Sequence, residues 1–330
     1  MDRNTTLGFL IASLLALPAG ADDLAEAISG GNAGLSLRYR LELVDDDNFS
    51  EDAEASTLRL RLNYKTAAYR GWTSMIEFDH LAEVGLDDFN SGAGTSPGRS
   101  QFPVVADPDG SDLNQLWLQY AFSDDTSLRF GRQRILLDNQ RYVGGVGWRQ
   151  NEQTYDSAKL DFKLGSGSGS YTYVANVNRI FGNDVPAGDH DHNTHLLNGS
   201  WPFDAGQLVA YAYLIDNEDA PAASSDTIGL RWTGNTDLVE WPFSYVAEFA
   251  HQTDAGDHPV DYDADYLRLE GTVGFEPVSL GLGFESLGGG DAPGAAFSTP
   301  LATLHAFNGW ADRFLATPDA GLEDLFVTVG

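Results

Sequence analysis

The sequence predicts an all-β protein, a transmembrane antiparallel up-and-down β-barrel. Three observations carry the prediction. Apolar and polar residues alternate with a period of two through most of the chain, the mark of strands with one apolar and one polar face. The connections between those strands alternate between short and long, as in outer-membrane barrels with short periplasmic turns and long external loops. The chain has 0 Cys, so an exported protein of this kind needs a continuous sheet rather than disulfides to hold it together.

Residues 1–21 read as a Sec-type secretory signal. Arg3 precedes the apolar run Leu7 to Leu17, and Pro18-Ala19-Gly20-Ala21 gives an A-x-A cleavage pattern ahead of Asp22-Asp23. The run is too short for a membrane-spanning helix, which needs about 20 residues. A cleaved leader is expected, with the barrel occupying residues 22–330 and sitting in the outer membrane.

The strands follow in order. In residues 35–43, Leu35, Leu37, Tyr39, Leu41 and Leu43 lie on one face, and Ser36, Arg38, Arg40 and Glu42 on the other. In residues 58–65, Leu58, Leu60, Leu62 and Tyr64 oppose Arg59, Arg61, Asn63 and Lys65. The same alternation places Leu160 and Phe162 against Lys159 and Lys163, and Leu267, Leu269 and Val273 against Arg268 and Glu270. About fourteen strands are expected, centred near residues 39, 61, 76, 118, 129, 159, 175, 197, 211, 230, 247, 269, 282 and 327. Short connections, such as 65–71, 123–127, 165–169, 202–206 and 275–279, follow every second strand; long ones include 44–56, 81–112, 135–153, 253–262 and 288–322.

Energetics orient the faces. An Arg or Lys on the lipid side near the midplane costs about 2–4 kcal/mol, against a whole-protein stability of about 5–15 kcal/mol. The charged face therefore lines the lumen. It carries ten cations, Arg38, Arg40, Arg59, Arg61, Lys65, Arg129, Lys159, Lys163, Arg231 and Arg268, and eight acids, Glu42, Glu77, Asp79, Asp161, Glu248, Glu270, Glu276 and Glu285. Trp72, Tyr120, Phe122, Trp201, Trp232, Trp241 and Phe249, near strand ends, are candidates for interfacial girdles.

The chain holds 49 Asp and Glu against 19 Lys and Arg, a formal net charge of -30 that argues against nucleic acid as a partner. Its acids concentrate in the expected external segments, among them Asp45-Asp46-Asp47, Asp87-Asp88, Asp112, Asp189, Asp191 and Glu218-Asp219. There they solvate the surface, or share divalent cations such as Ca with outer-membrane lipid and lipopolysaccharide. No complete EF-hand spacing is present.

Against this background residues 131–150 stand out, with Arg132, Arg134, Arg141 and Arg149 in one glycine-punctuated stretch whose only acid is Asp138. Asp138 and the following Glu152 cannot neutralise four guanidiniums. The segment is expected to fold back into the lumen and narrow it, and rings of Arg select anions in pores. For Arg38, Arg40 and Arg268, pairing with Glu42 and Glu270 in an interior ladder is an equal alternative.

The stretch Arg129 to Leu160, with Gly131-Arg132-Gln133, Arg141-Tyr142, Trp148-Arg149-Gln150 and Tyr155-Asp156, resembles the alginate-export family of outer-membrane porins, as does residues 297–330 with Asn308-Gly309-Trp310-Ala311-Asp312. The resemblance implies an eighteen-stranded barrel with an arginine-lined channel passing a polyuronate outward, together with periplasmic secretion partners. It implies Arg132, Arg141 and Arg149 as motif arginines and Asp156 as the acid of the aromatic-Asp pair. With about fourteen strands present, the chain is expected to stop short of its closing hairpins, truncated at the C-terminal side.

Other constellations are weaker. His190, His192 and His195 with Asp189 and Asp191 are metal-ligand types, but in a loop without structural-zinc spacing they read as solvated. Glu77 and Asp79 share one strand face and read as lumen wall rather than an acid-base pair. No nucleophile elbow, phosphate loop or zincin motif appears, so no enzyme activity is expected. Residues 299–315 are either a short amphipathic lid in the lumen or a packed loop. The function expected is a porin passing anionic solutes, uronate-type saccharides or small carboxylates. The alternatives are a barrel enzyme acting on lipid or glycan, and a secreted calcium-dependent glycan-binding β protein.

Overall fold

The computed structural model describes residues 23–308 and 312–330. A short helix, α1 (Leu24–Ser29), precedes fourteen strands: β1 (Asn32–Val44), β2 (Ala53–Lys65), β3 (Trp72–Asp88), β4 (Gly110–Ser123), β5 (Thr126–Gln133), β6 (Thr154–Leu164), β7 (Gly167–Asn178), β8 (Asp189–Phe203), β9 (Gly206–Ile215), β10 (Ser225–Leu238), β11 (Trp241–Asp254), β12 (Asp263–Phe275), β13 (Val278–Gly288) and β14 (Gly321–Val329). All fourteen expected strand centres fall inside these spans. They form one antiparallel sheet in strict chain order, with β1 and β14 at its two edges and not paired to each other. Among the described residues no helix is long and apolar enough to cross a membrane. The expected leader, residues 1–21, lies outside the described residues.

The two faces divide as the charge argument requires. Outward residues such as Leu37, Leu269, Leu282 and Leu325 are exposed, Leu37 to 65%, while inward Arg59 is 8% exposed and Glu77, Asp79, Glu248 and Glu285 are buried. Lipid accepts no backbone hydrogen bonds, so the leucines face hydrocarbon and the ladders of β2 to β13 are satisfied by a neighbour on each side. Aromatic pairs mark the short-turn rim: Trp72 against Tyr120 at 4.7 Å, Phe203 against Trp232 at 5.6 Å and Trp241 against Phe275 at 4.7 Å between ring centroids.

Three sequence expectations need correction. Several strands run further toward the long loops than the alternation suggests. Thus Asp87, Asp88, Asp112, Asp189 and Asp191 lie within strands, at ends where polar residues replace the apolar-polar alternation. His190, His192 and His195 are consequently on β8 and not in a loop. The pleat buries His190 and His192 on the inside and turns His195 to the outer face beside Tyr171 and Tyr173, so the three do not converge. Glu276 sits in the β12–β13 turn rather than on an inward strand position.

The helix α1 was not anticipated. Asp23 caps it by accepting the Glu26 N–H at 2.7 Å, and it packs under the β2–β3 turn, where Ala67 N–H donates to the Ala27 carbonyl at 3.0 Å. The inner face of the sheet is covered by residues 134–153 and 289–308, from two long connections. With inward side chains of β6–β13 they form the main apolar core, around Tyr142, Val143, Tyr155, Tyr213, Tyr266, Phe297 and Leu301.

The assignment of faces has a direct test. Leu269→Arg, at the centre of β12 on the outer face, should lower unfolding stability in phospholipid vesicles by about 2–4 kcal/mol in urea titrations. A change below about 1 kcal/mol would mean that Leu269 does not face hydrocarbon.

Candidate functional site

The site begins where β5 ends. This strand has 8 residues and is the shortest of the sheet, so the chain leaves the wall early. Gly131 takes φ +112, and a Cβ there would lie 2.3 Å from the Leu116 carbonyl oxygen, so the close approach of β4 and β5 requires glycine. Arg132 grips Asp156 of β6 in two-point contact, Nε to Oδ1 at 2.8 Å and Nη2 to Oδ2 at 2.9 Å. The fully buried Gln133 donates from Nε2 to Ser157 Oγ at 3.0 Å. The Gly-Arg-Gln motif thus locks the wall at the point where residue 134 turns inward.

Residues 134–153 then cross the interior. On the β1–β2 side their backbone carbonyls accept from inward arginines. Arg38 Nη1 donates to Gly147 O at 3.0 Å and to Arg149 O at 3.1 Å, Arg38 Nη2 and Arg40 Nη1 donate to Trp148 O, and Arg59 Nη1 donates to Gln150 O at 2.9 Å. Gln150 answers by donating from Nε2 to Thr57 Oγ1 at 2.9 Å, while its N–H donates to Asp107 at 2.8 Å. Beneath lies a compact charge cluster. Arg61 holds Asp79 in two-point contact at 2.7 and 2.6 Å and also pairs with Glu152, Arg134 pairs with both Glu77 and Glu152, and Asn114 donates to Glu77 at 2.8 Å.

The far side is sealed. Arg141 donates to Glu285 at 2.9 Å and to Asn308 at 2.9 Å and is only 2% exposed; Tyr266 donates to the same Glu285 at 2.6 Å. Tyr142 packs among Tyr211, Tyr213, Tyr266 and Phe297, at centroid distances from 5.1 to 6.1 Å. The second inner connection joins here: Gly144 N–H donates to Leu301 O at 2.8 Å, and Val146, in the left-handed region at φ +50, donates to Thr303 Oγ1 at 3.1 Å. Residues 299–308 therefore pack against 134–153 inside the sheet.

The four guanidiniums of 131–150 are all matched, contrary to the charge count made from neighbouring residues. Their acids come from other elements: Asp156 for Arg132, Glu77 for Arg134, Glu285 for Arg141, and Glu42 and Asp312 for Arg149. The interior ladder is present for Arg40 with Glu42 and for Arg268 with Glu270, whereas Arg38 holds loop carbonyls instead. Arg231 pairs with Glu248 and Lys159 with Asp161. Arg129 donates to Gln119 at 2.9 Å and lies 4.2 Å over the Trp117 ring, with Lys65 5.9 Å from that ring.

Burial and charge act against each other in the inner loop. Burial favours the neutral form of Glu152, but Arg134 and Arg61 outweigh it and hold its carboxyl below the usual range. Asp107 is pushed up by burial despite Arg149 and the Gln150 N–H, and burial likewise raises Asp138 and Tyr142.

Beside the loop, on the long-loop side, a vestibule of about 1000 Å³ is lined by Arg38, Arg40, Arg149, Arg179 and Arg313, with Glu42, Asp45, Asp46 and Asp312. Trp148 and His305 stack there at 4.0 Å, with Arg40 over Trp148 at 4.4 Å. Sequence reading passed over Arg179, although it is the sole Arg or Lys between Lys163 and Arg231. Among the described residues no group of three or more His, Cys, Asp or Glu could hold a metal ion.

Residues 31–279 match the family described as alginate export. The chain belongs to that family. Its fold is that of outer-membrane porins. It resembles Pseudomonas aeruginosa OccK9 (OpdG) with a TM-score of 0.65 at 14% identity, over 83% of this chain and 73% of that one. Pseudomonas aeruginosa OpdK, solved with vanillate, gives 0.63 at 11%, over 80% and 68%; a BenF-like porin from Pseudomonas fluorescens Pf-5 gives 0.63 at 11%, over 79% and 68%. No curated protein matches. This member of the family is thus an outer-membrane β-barrel porin, and its family and these neighbours are channels.

The charge cluster predicts how acid acts on this porin. A carboxyl whose folded pKa is depressed stabilises the anchored loop above its ordinary pKa of about 4.3 and loses that contribution as the pH falls through the folded value. Open-channel current noise should therefore rise on going from pH 5 to pH 3. Glu152→Gln should be noisy already at neutral pH and should respond less to acid. Identical responses would show that Glu152 is not the titrating anchor.

Proposed function

We propose that this porin passes small anionic solutes, uronate-type saccharides or small carboxylates, through an arginine-lined constriction formed where residues 134–153 cross the interior. The vestibule is the observation that supports this reading most, because five guanidiniums open onto one cavity leading to the loop. Guanidinium is the side chain suited to two-point recognition of a carboxylate, and it stays charged when partly buried. The acids that hold Arg132, Arg134 and Arg149 fix these forks in place, and an incoming carboxylate exchanges with them rather than meeting an empty charge. That OpdK was crystallised with vanillate, itself a carboxylate, is consistent with the smaller solutes in this class.

On this reading the leucine face contacts outer-membrane lipid and the acidic external segments contact lipopolysaccharide. The short-turn rim is the surface offered to periplasmic secretion partners. Entry at the arginine-lined vestibule raises the local anion concentration despite the net charge of -30, because field lines are focused by the nearest charges within about 8–10 Å at physiological salt.

Planar-bilayer reversal potentials in a salt gradient test the proposal. The wild-type channel should prefer anions, and Arg149→Gln with Arg313→Gln should move the reversal potential toward the cation value, since the vestibule loses two cations while Asp46 loses its arginine and Glu42 keeps only Arg40. A potential that does not move between the two proteins would remove the constriction reading.

A further inference from the structure

A second cavity of about 320 Å³ adjoins the vestibule and shares Arg179, Pro300, Leu304 and Leu315 with it. Its polar end is made by the residue after β7, Arg179, and by the start of β8, His190. Its remaining wall is largely alanine, leucine and proline from the β9–β10 and β13–β14 connections, including Ala222, Ala296 and Leu301.

Two donors at that end are unused. No ion pair or hydrogen bond occupies the Arg179 guanidinium among the described residues; its recorded side-chain contact is the Phe181 ring at 6.0 Å. The tautomer of His190 follows from its neighbours. Ala220 N–H donates to Asn217 Oδ1 at 2.8 Å, which leaves the Asn217 amide NH2 facing His190 Nδ1 at 3.0 Å. Nδ1 must accept, so the neutral ring carries its proton on Nε2. Two carboxylates near His190 each hold another group: Asp189 accepts from Asn176, and Asp219 accepts the Asp191 N–H at 2.7 Å.

The geometry points to a carboxylate-binding side pocket, in which a compact acid with an apolar body is held by the Arg179 guanidinium and the His190 Nε2–H while its body rests on the alanine and leucine wall. An ionised carboxylate meets both donors, and the alanine, leucine and proline that make most of the wall favour an apolar body, with Ser298, Thr299 and Thr317 the hydroxyl side chains that also line it. The cavity lies at the lower end of the size of small-molecule sites, about 300–1,000 Å³. The site opens off the proposed passage, shares Arg179 with its vestibule, and rests on that reading for the delivery of its ligand.

Titration calorimetry on the full chain in detergent micelles, with benzoate as probe, tests the pocket. Wild-type protein should bind benzoate at least about tenfold more tightly than neutral benzamide and more tightly than glucuronate, the scale of a charge-assisted hydrogen bond. Arg179→Gln should weaken benzoate by about tenfold or more, and His190→Phe by a smaller factor. Heat-modifiable gel mobility checks that each variant is folded. If a variant is not, the wild-type comparison of benzoate with benzamide decides alone. Equal binding of benzoate and benzamide, absence of benzoate binding, or an unaffected folded Arg179→Gln would overturn the pocket, and glucuronate binding as tight as benzoate would overturn the apolar body. The reversal potential of the same wild-type preparation judges the anion passage separately.

Discussion

Hydrocarbon supplies no hydrogen-bond partners, and this one constraint organises the molecule. Every backbone group of a spanning strand must pair within the wall, and every charged side chain must turn away from lipid. The interior consequently receives far more guanidinium than a small core tolerates unpaired. Carboxylates on adjacent strands match part of it, as Arg61 and Asp79 do directly across the β2–β3 register. The rest is matched by loop backbone, with Arg38 and Arg59 reaching carbonyls of residues 147–150. The loop enters the interior because its carbonyls complete the wall's hydrogen bonding.

Arginine here has two physical roles that sequence position alone does not separate. Arg141 is a strut: it is buried, clamped by Glu285 and Asn308 and flanked by the Tyr266 and Phe307 rings. Removing one partner of such a pair leaves the other charged and uncompensated, which costs about 3–5 kcal/mol. Arg149 and Arg179 line open space instead. On the proposed reading selectivity would belong to the second group, while loop placement belongs to the first.

Much of the wall was legible from alternation, because lipid enforces the period-two pattern over the length that it covers. Strand ends were not legible, since the outer part of β3 is exposed on both faces and that of β8 carries polar residues on both, so neither shows an apolar-polar contrast. The helix α1 left a signal, Asp23 followed three residues later by Glu26, the spacing of an N-terminal cap. Pairs between facing strands, such as Arg231 with Glu248, follow once the register is known. Those of Arg141 with Glu285 and Arg149 with Asp312 depend on the path of a loop through the interior, and no local spacing encodes them.

The two inner connections are stitched to each other through contacts such as Gly144 to Leu301 and Gln140 to Thr303. Their partners lie so far apart along the polypeptide that this seam, unlike the anchoring of residues 147–150 to β1 and β2, has nothing to close against until nearly all the strands have been laid down. Closing so long a loop is entropically unfavourable before its contacts exist, which places it late in assembly. The seam between the two inner connections is therefore the late element, joined to a first connection that β1 and β2 already hold.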